Sequence, residues 1–285
     1  MTGQKNPALP GSWENGIRLR LEGHPNRERW LKSVRAQTQV GRSIATRLIR
    51  ERIPLESVVV DVGCAEGGIA IALQQAGFRA FGIDIDLRKL AVAPRRAKEE
   101  GVRPVFLRAS ACALPLVAHG VDAVVMENVI EHMPEWTVAV EEAARVLREP
   151  GRIILSLPNR LGLRTILSDP HFGVFGLTLL PRPLAAWLIR DVLKRAEVYD
   201  VYQMPSLRHV REVFRNHGIK VTLDDGLDRF LDKAREAPGK KGRLLRLLAE
   251  VSRTSSVLRL PYRIYRRFVS EVWILVGEKQ SAIPP

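Results

Sequence analysis

The chain has 285 residues, 46% of them hydrophobic, which suits one large domain or a domain with an appendage and excludes a disordered chain. Its 45 Lys and Arg against 31 Asp and Glu give a net charge of +14, fitting an anionic partner such as nucleic acid, a phosphorylated substrate or a membrane surface. Cys64 and Cys112 are too far apart in sequence to form a metal clip, and no uncharged apolar run reaches the roughly 18 residues of a membrane span, so a reduced, cytoplasmic setting is expected.

Residues 1–10 read as a polar, frayed tail without the features of a signal peptide. Trp30, Leu31, Val34, Ile44, Leu48 and Ile49 recur at helical spacing and predict a helix over 26–50, ended by Ile53-Pro54. The run SVVVDV at 57–62 then reads as a buried parallel strand. A glycine loop, a helix over 69–75, a strand over 79–83 and a helix over 87–99 follow. Strands are expected at 102–108 and 121–126, a helix at 135–148 closed by Pro150-Gly151, and a strand at 152–157 stopped by Pro158. This alternation implies βαβ units and a parallel sheet. Residues 159–204, rich in Pro, Gly, Leu and aromatics, break the rhythm, and a helix at 206–217 with strands at 219–223 and 271–276 resumes it. Within 240–267 lie nine Lys and Arg, against the single acid Glu250, interleaved with Leu, Tyr and Phe.

The chemistry concentrates in VVVDVGCAEGG at 58–68. A strand ends at Asp61, and a tight turn carries Gly63, Ala65 and Gly67 into a helix, letting a ligand approach the backbone at the helix N-terminus. A dinucleotide fingerprint starting at Gly63 needs glycines at 65 and 68; Ala65 breaks it, and Asp61 would repel a pyrophosphate while suiting a sulfonium or ammonium group. A purely structural turn is the alternative. Asp84, ending the second strand, can accept both hydroxyls of a ribose, unless it caps the next helix as Asp86 also could.

The pattern D-x-G-x-A-x-G resembles motif I of the class I S-adenosylmethionine-dependent methyltransferases, of the type 11 and small-molecule O-methyltransferase kind. Further stretches follow in that family's order: ASACALPL at 109–116, ENVIEH at 127–132, LREPG at 147–151 and SLPN at 156–159. The resemblance is strong over 55–159 and weak beyond. It implies a Rossmann-like, doubly wound seven-stranded sheet, mostly parallel with the last strand antiparallel. An N-terminal helix and a helical insertion on the substrate side would complete it.

The implied layout is a tail and helix at 1–54, a cofactor-binding core at 55–158, an insertion at 159–204, and a C-terminal completion at 205–280 with a basic amphipathic segment near 238–268. S-adenosylmethionine is the implied cofactor. It would lie against Asp61, Gly63, Cys64, Ala65 and Gly67, against Asp84 and Ile85 at the ribose, and against Ser110, Ala111 and Cys112 at the adenine. Glu127 and Asn128 would stand beside its methionine end. Ser110 occupies a position where the family usually has Asp, which puts the usual contact to the adenine amino group in doubt.

Glu131 and His132 are the candidate catalytic pair, His132 being the side chain suited to act as a base near neutral pH. N-x-x-E-H also resembles a metal-binding E-x-x-E-H of some O-methyltransferases, with His171 or His209 as further donors; Asn128 replaces the first Glu, and no metal is expected. The acceptor is expected to be small, glycan or lipid-linked; the basic segment reads as a helix docked on the sheet with a solvated basic face, as a peripheral contact to the inner membrane surface, or as a nucleic-acid contact. The alternatives are RNA as acceptor, or a protein that binds the cofactor without turnover.

Overall fold

The computed structural model describes residues 12–22, 27–202, 204–224 and 259–280, together with positions 239, 243 and 247. The expected tail and most of the basic segment lie outside the described residues. The seven strands are β1 (Val58–Val62), β2 (Arg79–Asp84), β3 (Val105–Arg108), β4 (Val121–Glu127), β5 (Leu147–Pro158), β6 (Ile219–Leu223) and β7 (Val272–Lys279). They form one sheet in the order β3-β2-β1-β4-β5-β7-β6, with six strands parallel and one antiparallel. β2 and β4 flank β1 in parallel, pairing Val62 with Ile83 and with Met126. The amide of Gln280 donates to the carbonyl of Gly218 and that of Asp224 to Ile274, so β7 runs against β6. Strand order reverses between β1 and β4, where ligands of open α/β sheets bind.

The chain divides into two compact units. The first comprises residues 1–155, 207–221 and 277–285; the second comprises 156–206 and 222–276. In the first, α1 (Trp13–Arg20) and α2 (Arg27–Arg50) precede β1, α3 (Gly68–Gln75) follows it, and α6 (Trp136–Val146) follows β4. α1 was not foreseen; its N-cap is Ser12, whose hydroxyl accepts the Asn15 N–H at 3.2 Å. α2 lies so close to α3 that a Cβ on Gly41 would come within 2.7 Å of that of Ala72. α9 (Leu207–Asn216) buries Leu207, Val210 and Phe214 in the same unit.

Three expectations need correction. The helix foreseen over 87–99 is two pieces, α4 (Leu87–Leu90) and α5 (Ala93–Glu99). Pro94 has no N–H and its ring crowds the preceding turn, so the helix restarts there. The strand foreseen from 102 begins at Val105, because the Val102 amide still caps α5 through the Ala97 carbonyl. The helix foreseen to 148 stops at Val146, and LREP already belongs to β5. Lys279 explains that stop: its buried ammonium donates to the carbonyls of Ala144 at 2.9 Å and Leu147 at 2.8 Å, closing the helix end.

In the second unit the insertion is built of short pieces. α7 (Leu163–Leu167), a 3-10 turn (Leu177–Leu179) and α8 (Arg182–Trp187), continued as a π turn (Leu188–Val192), surround an apolar cluster of Phe172, Leu177, Ala185, Ile189, Tyr199 and Val201. The buried carboxylate of Asp169 gathers the N–H groups of His171, Phe172 and Val174 and so shapes the loop that delivers Phe172. α10 (Leu260–Ile264) runs into a π turn (Tyr265–Val269) before β7.

Candidate functional site

The site lies in the first unit, at the carboxyl ends of β1, β2 and β4. After β1 the chain enters the left-handed region at Gly63 (φ 77°), Ala65 (φ 48°) and Gly67 (φ 76°). A side chain at Gly63 would strike Val129 at 2.5 Å, so glycine is required there for space as well as conformation. The amides of Gly63 and Cys64 are held by the Ile83 carbonyl at 2.7 and 3.0 Å. Asp84 holds the loop from the next strand: one oxygen accepts the Ala65 N–H at 2.7 Å and the other the Asp86 N–H at 2.8 Å. Asp86 is the helix cap, accepting the Arg88 N–H. Asp84 is therefore a loop organiser at the strand end, and each of its oxygens keeps a second lone pair for a ligand hydroxyl.

Asp61 is buried, and neither of its oxygens accepts a hydrogen bond of ordinary geometry from a described residue. Burial pushes its carboxyl up to about 8; the nearby Ala70 amide offsets part of that push, and the charges of Glu127 and Asp84 add to it. Three carboxylates thus converge from three neighbouring strand ends. A buried acid of this kind is stabilised as an anion only by a cation or donor brought to it. Cys64 is buried and its thiol is pushed well above its ordinary value, first by burial and then by Asp61, so it packs as a neutral group.

The other expected contacts fall around this centre. Ser110 uses its hydroxyl oxygen to accept the Cys112 N–H at 3.1 Å, shaping the loop after β3. Asn128 is itself left-handed (φ 52°) and its amide reaches Glu127 Oε1 at 3.4 Å. Ile85 is largely exposed beside Asp84. Glu131 and His132 lie on the 3-10 turn Ile130–His132 after β4, Glu131 fully buried and His132 half-buried. The two lie together just after the end of β4, on a single 3-10 turn. His209 packs edge-on against Trp136, ring centroids 5.1 Å apart. His171 belongs to the second unit, its ring nitrogen 3.8 Å from Asp169.

Three supports are not visible in the sequence. Glu66, inside the glycine loop, is buried and ion-paired with Arg20 of α1; Arg20 also donates to the Arg88 carbonyl at 3.2 Å, joining the loop after β1 to α4, the helix that follows β2. Beneath them the buried Arg96 donates to Gln37, Thr38, the Val34 carbonyl and Glu100, and lies 4.5 Å from the ring of Trp13. On the other side, Glu142 accepts the Leu114 N–H at 2.8 Å while Arg145 donates to the carbonyls of Leu114 and Leu116, clamping the loop after β3 onto α6.

The methyltransferase domain family matches residues 60–155. An uncharacterised methyltransferase of Mycobacteroides abscessus is 41% identical over 106 residues, 36% of this chain and 40% of that protein. A ubiquinone biosynthesis O-methyltransferase of Pseudomonas fluorescens is 32% identical over 176 residues, 57% of this chain and 76% of that protein. The matched stretches span only 40% of the mycobacterial relatives and half of the corresponding Cupriavidus pinatubonensis enzyme. Among solved structures, magnesium protoporphyrin IX methyltransferase from Synechocystis with bound S-adenosylhomocysteine superposes with a TM-score of 0.50 at 18% identity, covering 88% of this chain and 87% of that one. The cyclase SpnF gives 0.53 at 17%, covering 86% and 82%. With its sheet order, its glycine turn and these relatives, the chain belongs to the class I S-adenosylmethionine-dependent methyltransferases.

Proposed function

We propose that this enzyme transfers the methyl group of S-adenosylmethionine to an oxygen of a small, glycan or lipid-linked acceptor, in the cytoplasm and at the inner membrane surface. The observation that carries the cofactor site is the convergence of Asp61, Asp84 and Glu127, with Asp61 buried and awaiting a cation. In this reading Asp84 and Ile85 bind the ribose, Ser110, Ala111 and Cys112 border the adenine, and Gly63, Cys64, Ala65 and Gly67 admit the ligand against the backbone. Asp61, Glu127 and Asn128 face its cationic methionine end. These residues fit the cofactor: the orphaned acid suits its positive charge, and Asp84 retains acceptor capacity for two hydroxyls.

When bound, the cofactor supplies a methyl group on a sulfonium leaving group, so the chain's task is alignment and proton removal. His132, half-buried on the turn after β4, would accept the proton of the acceptor hydroxyl at a ring nitrogen, leaving that oxygen able to take the methyl group. Glu131, buried on the same turn, fixes that turn's position. Support for an oxygen acceptor comes from the ubiquinone biosynthesis O-methyltransferase relatives. The net charge of +14 favours RNA as the second reading.

The test is calorimetric titration with S-adenosylmethionine, S-adenosylhomocysteine and NAD, repeated on Asp61→Ala and Asp84→Ala, followed by incubation of cell extracts with radiolabelled cofactor. Micromolar binding of the adenosyl ligands alone, lost in both variants, is expected, with label entering the organic phase and base-stable. Label in RNA would select the second reading, and wild-type affinity in both variants would remove the site assignment.

A further inference from the structure

Residues 259–269 carry their apolar stripe on the wrong side for a helix that simply packs onto its own protein. Leu260, Ile264 and Phe268, spaced i, i+4 and i+8, are 52%, 48% and 57% exposed, whereas Arg266 is 8% exposed and its Nε donates to the Asp224 carbonyl at 3.2 Å. A surface helix of a globular protein turns its apolar stripe inward and its charges outward. Here an arginine points inward and the aliphatic and aromatic groups point out.

α7 lies against the turn Tyr265–Val269. The Asn159 side-chain amide donates to the carbonyls of Arg267 and Ser270 at 3.0 and 3.1 Å, and Arg164 donates to the Tyr265 hydroxyl at 3.3 Å. Leu163 and Leu167 of α7 are exposed beside them. The charges are of one sign: residues 159–168 and 259–270 contain six arginines and no Asp or Glu. The Arg267 guanidinium lies 5.6 Å from the Phe268 ring centroid, so charge and apolar surface interleave rather than separate.

We propose that α7 and α10, with the turn that continues α10, form a docking surface for an anionic lipid bilayer. The apolar side chains would enter the boundary between headgroups and acyl chains, with the arginines at the phosphates. A second copy of this chain would set arginine against arginine across a two-fold axis, which costs rather than gains. RNA rewards the arginines but gives Leu163, Leu167, Leu260 and Ile264 nothing to stack on. The inference rests on the reading of a lipid-linked acceptor, and its test reads the docking surface and the cofactor site separately.

Full-length protein is sedimented with phosphatidylcholine vesicles with and without phosphatidylglycerol, beside the variants Ile264→Ser/Phe268→Ser and Arg263→Gln/Arg267→Gln. The wild type is expected on the anionic vesicles alone, with each double variant weakened on the order of tenfold or more. Titration of each preparation with S-adenosylhomocysteine reports the cofactor site, which these exposed substitutions leave unchanged. Absence of wild-type binding to the anionic vesicles, or equal binding of all three proteins, overturns the proposal. So does a dimer that Ile264→Ser/Phe268→Ser converts to a monomer, or RNA binding lost in the arginine variant while vesicle binding stays intact. Wild-type protein that binds vesicles but not S-adenosylhomocysteine would keep this surface and remove the cofactor assignment instead.

Discussion

Asp61 makes the pH dependence of this protein's stability predictable. Its carboxyl stands at about 8 in the folded protein against 3.8 as the ordinary value. Between those limits the folded chain holds a proton that the unfolded chain has released. The group's contribution to stability is therefore full below about pH 4 and lost as pH rises toward about 8. Urea unfolding at about pH 5 and about pH 9 should show that decline, flattened in Asp61→Asn. A cationic ligand reverses the preference, so binding of S-adenosylmethionine near neutral pH should release a proton. Calorimetry in buffers of different ionisation enthalpy reads this directly, and Asp61→Asn should abolish the buffer dependence. Ala65 offers an independent check, since it holds φ 48° without being glycine. Relief of that strain exceeds the extra chain entropy of glycine, so Ala65→Gly should stabilise by about 0.5–1 kcal/mol, raising Tm by about 1–3 °C.

At the scale of elements, the glycine loop after β1 is held from outside itself. α1 reaches it through Arg20 and Glu66, α2 through Arg96, and α6 grips the neighbouring loop through Glu142 and Arg145. Arg96→Met should lower stability by about 3 kcal/mol, because Gln37, Thr38 and the Val34 carbonyl lose their donor in a dry site; the denaturant midpoint measures it. Arg20→Met should also lower stability, by about 2–3 kcal/mol, because the buried Glu66 carboxylate loses its cation, and in the proposed reading it should weaken S-adenosylhomocysteine roughly tenfold as well. None of this was legible from spacing. Arg96 sits in PRRAKEE, where three basic residues look equally exposed, and only packing against α2 selects one of them for burial. The glycine turn, Asp61 and Asp84 were legible because their demands are local: positive φ, a strand end, and a carboxylate two residues before a turn.

For the whole molecule, the sheet could be read from alternation because each strand of a parallel sheet is a short buried run bounded by breakers. The boundaries that failed, at Leu90–Ala93 and Val146–Leu147, failed where a distant group decides the outcome: Lys279 ends α6 from more than a hundred residues away. The inverted face of α10 was invisible for the same reason, since composition shows interleaved Arg and Leu but not which of them faces out. Ligand binding is the global check on the assembled site. S-adenosylhomocysteine at a hundred times its Kd should add about 2.7 kcal/mol, or about 5–10 °C in Tm, with NAD giving none.

In the proposed reading, the double grip of Arg20 also ties α1 to ligand binding. Two sites that bias one arrangement must do so reciprocally. Whatever factor the Arg20 contacts contribute to holding the adenosyl ligand, the ligand returns to the docking of α1. Protection of the α1 amides from hydrogen exchange should therefore rise with S-adenosylhomocysteine concentration by that same factor, making the N-terminal helix a built-in gauge of occupancy at a site it does not line.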